Sequence, residues 1–251
     1  MVSCESPCRW SHADENCAYS GHMATSSSEI HVAVDLTVLT LRDGALNVLL
    51  IQREDEPHRG AWALPGGFVQ LGEDLDGAAY RVLADEASLG SGAVHLEQVR
   101  TFGTPGRDPR GHVVSVAFMA LGADLPDPRR GEDVADARWW SLQELAEVTL
   151  AFDHATVLEC AVERARSKLE YTTLAATFLP EEFTISQLRG VYESVWGTTL
   201  DAGNFHRKAT RTEGFLEELD RHAAPTGGRP ARLYRAAGGT SLMPPLLRSG
   251  D

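Results

Sequence analysis

The chain has 251 residues, 43% of them hydrophobic and 24% charged, which suits one large or two modest globular domains. No stretch approaches the roughly 18 consecutive apolar residues of a membrane span, and a formal net charge of −13 argues against a protein that coats nucleic acid. The charge is uneven: from Thr184 onward nine Arg/Lys outweigh seven Asp/Glu, so an acidic body precedes a mildly basic end compatible with local DNA contact.

Residues 1–29 lack any apolar period, end in Ser26-Ser27-Ser28, and carry Cys4, Cys8 and Cys17 with His12 and His22. Cys-x3-Cys followed by a lone Cys matches no strong zinc spacing, so a disordered leader is expected, with Met23 as an alternative start. It has no signal-peptide core, and cytoplasmic residence follows as the expectation. His31 to Leu41 alternates and is rich in β-branched residues, which predicts a strand; a turn at Arg42–Ala45 leads to its partner, Leu46 to Gln52. A polar loop, Arg53 to Gly60, precedes Trp62-Ala63-Leu64-Pro65 and the glycine pair Gly66-Gly67. From Asp74 to Leu89 apolar residues recur at helical spacing, placing Arg81, Asp85 and Glu86 near one another.

Two further strands are predicted at Val94–Thr104 and His112–Leu121, and a short one at Ala137–Trp140 that runs into Ser141 and Glu144 as a capping box. Asp153 to Thr177 reads as one long helix ended by Pro180, able to bridge two domains or to pack against a second subunit. A helix capped by Thr184 then stops at Trp196-Gly197, and a second begins at Asp201. Two short helices about a glycine-containing turn, followed by a hairpin with alternating arginines, make a winged helix-turn-helix candidate. Asn204, His206, Arg207 and Lys208 are the expected groove contacts, with Arg229 and Arg232 on the wing.

The central stretch resembles a Nudix box: Gly67, Glu73, Arg81, Leu83, Glu86 and Leu89 match in register, while Val82, Asp85 and Ser88 depart from it. The resemblance, over roughly residues 30–150, implies a mixed sheet sandwiched by helices and a diphosphate site at a helix that holds Mg²⁺ or Mn²⁺. Valine offers no oxygen to such a cation and Asp85 is one methylene short, so efficient hydrolysis is expected to be lost while the pocket survives. Asp85 and Glu86 remain as a weak metal pair. A degenerate Nudix domain followed by this helix-turn-helix, with Asn204-Phe205-His206-Arg207-Lys208 and Gly228-Arg229-Pro230-Ala231-Arg232-Leu233-Tyr234, resembles the NrtR family of Nudix-related transcriptional regulators.

That resemblance implies an α+β chain: a leader over 1–29, a Nudix-like α/β/α sandwich over 30–152, a linker helix over 153–180, a winged helix-turn-helix over 181–237, and a flexible tail over 238–251. It implies a homodimeric repressor of NAD biosynthesis or salvage genes in the bacterial cytoplasm, associated with the nucleoid. ADP-ribose (or NAD) in the Nudix pocket would release it from a palindromic operator. No cofactor is required on this reading, Mg²⁺ binding would be weak, and no membrane is involved. Arg53, Arg59, Trp62, Gly67, Glu73, Arg81 and Glu86 are the expected ligand residues. For Arg53, Arg59 and Trp62 on the loop before the box, surface charge and core packing weigh equally. The rival readings are a metal-dependent Nudix hydrolase of ADP-ribose or another nucleoside diphosphate, against which Val82 stands, and a structural or protein-interaction module, for which a lack of salt-sensitive DNA binding would be the sign.

Overall fold

The computed structural model describes residues 29–87, 89–90, 92, 94–128, 134–224 and 230–248. The leader up to Ser28, Ser88 and Arg229 lie outside the described residues. The first half runs β1 (Ile30–Arg42), β2 (Ala45–Arg53), β3 (Trp62–Ala63), β4 (Gly66–Phe68), α1 (Leu75–Ala87), β5 (His95–Phe102), β6 (His112–Leu121) and β7 (Val134–Ser141). β1 is the spine of a seven-stranded mixed sheet. One edge of it carries β6 in parallel; the other is shared by β4 at Ala33–Asp35 and β2 at Leu39–Arg42, both antiparallel.

Alternation along the strands separates two cores. Val34, Leu36, Val38, Val116 and Phe118 pack against Ala78, Ala79, Val82 and Leu83 of α1. Val48, Leu50, Ala117 and Met119 turn the other way, onto Val157, Leu158, Ala161 and Ala165 of α2 (His154–Tyr171). The result is the expected sandwich of a mixed sheet between helices. Its second outer layer is α2, which the sequence places in a linker: besides joining the two units, its apolar face covers the sheet. Burial at roughly 1.5–3 kcal/mol per large aliphatic side chain favours that position.

The expected single helix over 153–177 is also two. α2 ends at Tyr171, Thr172 is extended (φ −127°, ψ 164°), and a 3₁₀ helix comes next at Thr173–Phe178. The Thr172 hydroxyl donates to the Lys168 carbonyl and accepts the Leu174 N–H, a side-chain alternative to the helical ladder. Ser141 and Glu144 do form reciprocal hydrogen bonds, but the element they start is only the 3₁₀ turn Glu144–Glu147.

Beyond α2 and its 3₁₀ turn lie β8 (Phe183–Thr184), α3 (Ile185–Trp196), α4 (Ala202–Arg211), β9 (Leu216–His222) and β10 (Arg232–Ala236). Thr184 and Gln187 form a capping box, Gly197 closes α3 at φ 68°, and Asp201 Oδ1 accepts the Asn204 N–H at 2.7 Å to start α4. The hairpin β9–β10 gains a third strand, β8, which the sequence does not show. α2 holds this unit directly: Arg166 Nε donates to the Val195 carbonyl at 2.9 Å, and Trp196 Nε1 donates to the Arg166 carbonyl at 3.1 Å. The segment read as a flexible tail departs from expectation too, because Leu242 and Leu246 are buried.

Candidate functional site

A cleft of about 310 Å³ opens where β1, β4, the C-terminal half of α1, the β5–β6 loop and the entry to α2 converge. Its floor is backbone. Gly66 lies opposite Asp35, and a Cβ there would come within 2.7 Å of both Asp35 Oδ1 and the Val34 carbonyl oxygen, so only glycine allows the approach. The Gly66 N–H donates to Glu86 Oε2 at 3.1 Å. Burial pushes the Glu86 carboxyl up to about 7; the Gly66 hydrogen bond opposes this, while the charges of Asp85 and Asp35 add to it.

Behind the floor, Arg107 joins two elements. It meets Asp153 with two nitrogens at 2.6 and 3.0 Å and reaches Asp35 Oδ2 at 3.1 Å, with its side chain only 5% exposed. Ser115 Oγ donates to the same Asp35 oxygen. His154 Nδ1 accepts the Leu64 N–H at 2.9 Å, leaving Nε2 to carry the proton 3.5 Å from Asp35 Oδ1. Burial lowers the His154 pKa, in keeping with a neutral ring.

Toward the mouth the cleft becomes cationic and aromatic. The Phe152 ring has the Arg53 guanidinium 4.9 Å from its centroid and that of Arg110 at 5.5 Å, and His58 meets it edge-on at 4.7 Å. Arg110 also covers Phe68 at 4.9 Å and is braced by Asp108, whose Oδ2 is 2.7 Å away. Guanidinium groups pair with phosphate oxygens, and ring faces stack on planar bases. The arrangement is therefore suited to a nucleotide.

The sequence candidates divide. Arg53, Gly67 and Glu86 line the cleft. Glu73 and Arg81 pair with each other at 2.7 Å instead, and Arg81 also donates to the Phe68 carbonyl while Glu73 accepts the Gln70 N–H. Together they fasten the 68–73 loop to α1. Trp62 packs edge-on against Trp140 at 5.1 Å, and Arg59 is exposed; neither lines the cleft. Arg107, Arg110, Phe152 and His154 escape the sequence reading, because they lie 40 or more residues from Gly67 in a loop and at a helix entry. Arg107 and Arg110 belong to the Pro105–Gly111 loop, whose basic character was the available signal.

The residues present do not fit the divalent cation that a Nudix box implies. Val82 is apolar and 2% exposed, and Asp85 is exposed and does not line the cleft. Among the described residues no group of three or more His, Cys, Asp or Glu could hold a metal ion. The Asp85–Glu86 pair expected from the sequence thus offers a single carboxylate to the cleft.

The second candidate surface is α4 with its wing. Phe205 and Ala209 turn inward, while Gly203, His206, Arg207, Thr210 and Arg211 are exposed. Asn204 and Lys208, one turn apart, form a half-buried flank, and Asn204 Oδ1 accepts from Arg207 Nη2 at 2.6 Å. His206 lies on the opposite flank, lining a groove with Ser186, Arg189 and Arg232. Arg232 pairs with Glu218 across the hairpin and Arg235 with Glu217 at 2.8 Å, so these two wing cations carry internal partners. Thr210, Arg211, Ser186 and Arg189 join a surface for which the sequence named fewer residues.

Comparison with known proteins gives the same two units. Residues 29–160 match the NUDIX domain, and residues 175–236 match the NrtR DNA-binding winged helix domain. The chain is 36% identical over 208 residues to the ADPR responsive transcriptional repressor NtrR of Acinetobacter baylyi, covering 82% of each chain. It is also similar to the crystal structure of Shewanella oneidensis NrtR complexed with a 27mer DNA, with a TM-score of 0.73, 30% identity, and coverage of 86% of this chain and 99% of that one. The NUDIX domain of Shewanella oneidensis NrtR complexed with ADP ribose matches at a TM-score of 0.50 and 36% identity, over 53% of this chain and 87% of that one.

Proposed function

This chain belongs to the NrtR family of Nudix-related, DNA-binding transcriptional regulators, and from that premise we propose that it represses genes of NAD metabolism and is released from its operator by ADP-ribose. The effector occupies the cleft over Gly66–Gly67, with its diphosphate toward Arg53 and Arg110 and an aromatic face supplied by Phe152. The exposed face of α4 enters the major groove, and the wing follows the adjacent backbone. Two copies bind a palindromic operator, because a two-fold site matches a two-fold protein.

One observation carries this reading above a hydrolase. The cleft keeps its guanidinium and ring contacts while its box helix presents one carboxylate and a buried valine where a cation would need several oxygens. A sensor that binds without cleaving gives a stable signal. An effector shifts operator binding only through unequal affinity for two states of the protein.

Selection of duplexes from a randomised pool, at fixed and stated salt, tests the DNA half. The expected outcome is a palindromic consensus bound at least about a thousandfold more tightly than a scrambled duplex. Enrichment of no sequence, with binding that follows charge alone, would refute it.

A further inference from the structure

The match to the winged helix ends at residue 236, yet the chain continues on a defined course. The Gly239 N–H donates to the Gly214 carbonyl, after α4, at 3.1 Å, and the Gly239 carbonyl accepts from Thr173 Oγ1 at 2.6 Å. Ser241 bridges to Thr172, the Leu242 N–H donates to the Tyr171 carbonyl at 2.9 Å, and the Leu246 N–H donates to the Glu170 carbonyl at 2.7 Å. Those carbonyls belong to the last turn of α2, where helical partners are absent. Leu242 and Leu246 are 1% and 5% exposed, and Arg248 closes the segment on Glu170 at 2.8 Å and Glu163 at 2.7 Å.

The other side of the same segment faces α4. Leu246, Leu247 and Arg248 form one wall of a groove of about 230 Å³ whose opposite wall holds Trp196, Asn204, Phe205 and Lys208. The segment is thus bonded to the end of the effector domain's long helix and faces the Asn204–Lys208 flank of the DNA-reading helix across that groove. α2 spans roughly 27 Å. Its entry carries Asp153 and His154 at the cleft, bound to Arg107 and Asp35, and its far half carries the segment.

We infer that residues 238–248 are a strap, with Leu246 and Arg248 as positioning residues that set α4 against α2 so that the state of the cleft is felt at the DNA-reading face. The strap rests on the regulator reading above. Arg248 touches neither the cleft nor the exposed face of α4, so its effect passes through α2 and the Asn204–Lys208 flank.

The test compares wild type, Arg248→Ala, Arg248→Lys, Leu246→Ala and the double variant Glu163→Gln/Glu170→Gln, all in the full chain. Three quantities are read: ADP-ribose affinity by calorimetry, affinity for the selected duplex by anisotropy, and the ratio of duplex Kd with and without ADP-ribose. Wild type is expected to show a ratio of at least about fivefold. Arg248→Ala and the double variant are expected to keep ADP-ribose affinity within about twofold while the ratio falls below about twofold. Arg248→Lys keeps the charge without the fork and is expected to fall between.

A merely stabilising tail would lower melting temperature and leave that ratio alone. If the ratio in Arg248→Ala and in the double variant equals that of wild type, the strap is overturned, whatever becomes of Leu246→Ala, the variant most prone to unfold. A wild-type chain whose selected duplex ignored ADP-ribose would overturn the regulator reading and the strap with it.

Discussion

Gly66 and Glu86 meet at the floor of the cleft, where the Gly66 N–H donates to the Glu86 carboxyl. Gly66→Ala would drive a methyl against two oxygens at 2.7 Å, and neither a β1 carbonyl nor the Asp35 carboxylate held by Arg107 can yield cheaply. A loss of about 1–3 kcal/mol in unfolding free energy is expected, with ADP-ribose binding lost, read by urea titration and calorimetry. Glu86 titrates near 7 instead of its ordinary 4.5, so the fold favours the neutral acid. Stability from this group is fully present below about 4.5, falls as pH rises through that window, and is level above about 7. After allowance for solvent screening of a half-buried group, the fall is on the order of 1–2 kcal/mol. Glu86→Gln should remove this contribution, seen as a melting temperature that loses less than wild type between pH 5 and pH 8 in buffers of matched salt, with the His154 contribution common to both. The same logic makes wild type bind ADP-ribose more tightly at pH 6 than at pH 8, because a diphosphate favours the uncharged acid. At this scale the sequence exposes Gly67 and Glu86, since the box has a fixed spacing, and offers Arg53 from the loop before it on equal terms with surface charge. It hides Arg107, Phe152 and His154, since only the folding of β1 against the β5–β6 loop and α2 brings them to Asp35.

At the scale of elements, the local signals that hold are those written in neighbouring residues. The caps at Thr184 and Asp201, the stop at Gly197 and the strand alternation of β1 and β6 are all short-range and all present. Asp201→Ala removes the acceptor for the Asn204 N–H and is expected to cost about 1 kcal/mol, measurable by thermal unfolding. Its DNA affinity should fall with the fraying of the first turn of α4. Arg207→Ala acts differently, because Arg207 is on the exposed face and its loss leaves the core intact. Discrimination between the selected duplex and a single-base variant is expected to drop by about 1–3 kcal/mol, with non-specific binding less affected. The break at Thr172 and the short strand β8 are not legible beforehand. The short strand depends on Leu233 and Tyr234 far along the chain, and the break joins the local Thr172 hydroxyl bonds to distant partners, Ser241 and Leu242.

At the scale of the molecule, α2 is the element that makes one protein of two domains. Its apolar face completes the sandwich, Arg107 ties its entry to the cleft through Asp153, and its later turns hold α3 through Arg166 and Trp196. Arg107→Ala would leave Asp35, 6% exposed, without its guanidinium. Removing one partner of a buried pair costs about 3–5 kcal/mol, with the lower end expected here because Ser115 and His154 remain. The sequence shows α2 as a helix but reads it as a linker, since an amphipathic period does not say which surface it will cover.

The measurement that bears most directly on a ligand-gated repressor is a titration of ADP-ribose, with Mg²⁺ present, into the preformed complex of the full chain and its selected duplex, followed by anisotropy while AMP is assayed in the same mixture. The duplex is predicted to be released as the cleft fills, with a shift in Kd of at least about fivefold, and ADP-ribose to be recovered intact. Steady AMP production, or a duplex that stays bound at saturating ADP-ribose, would contradict that mechanism.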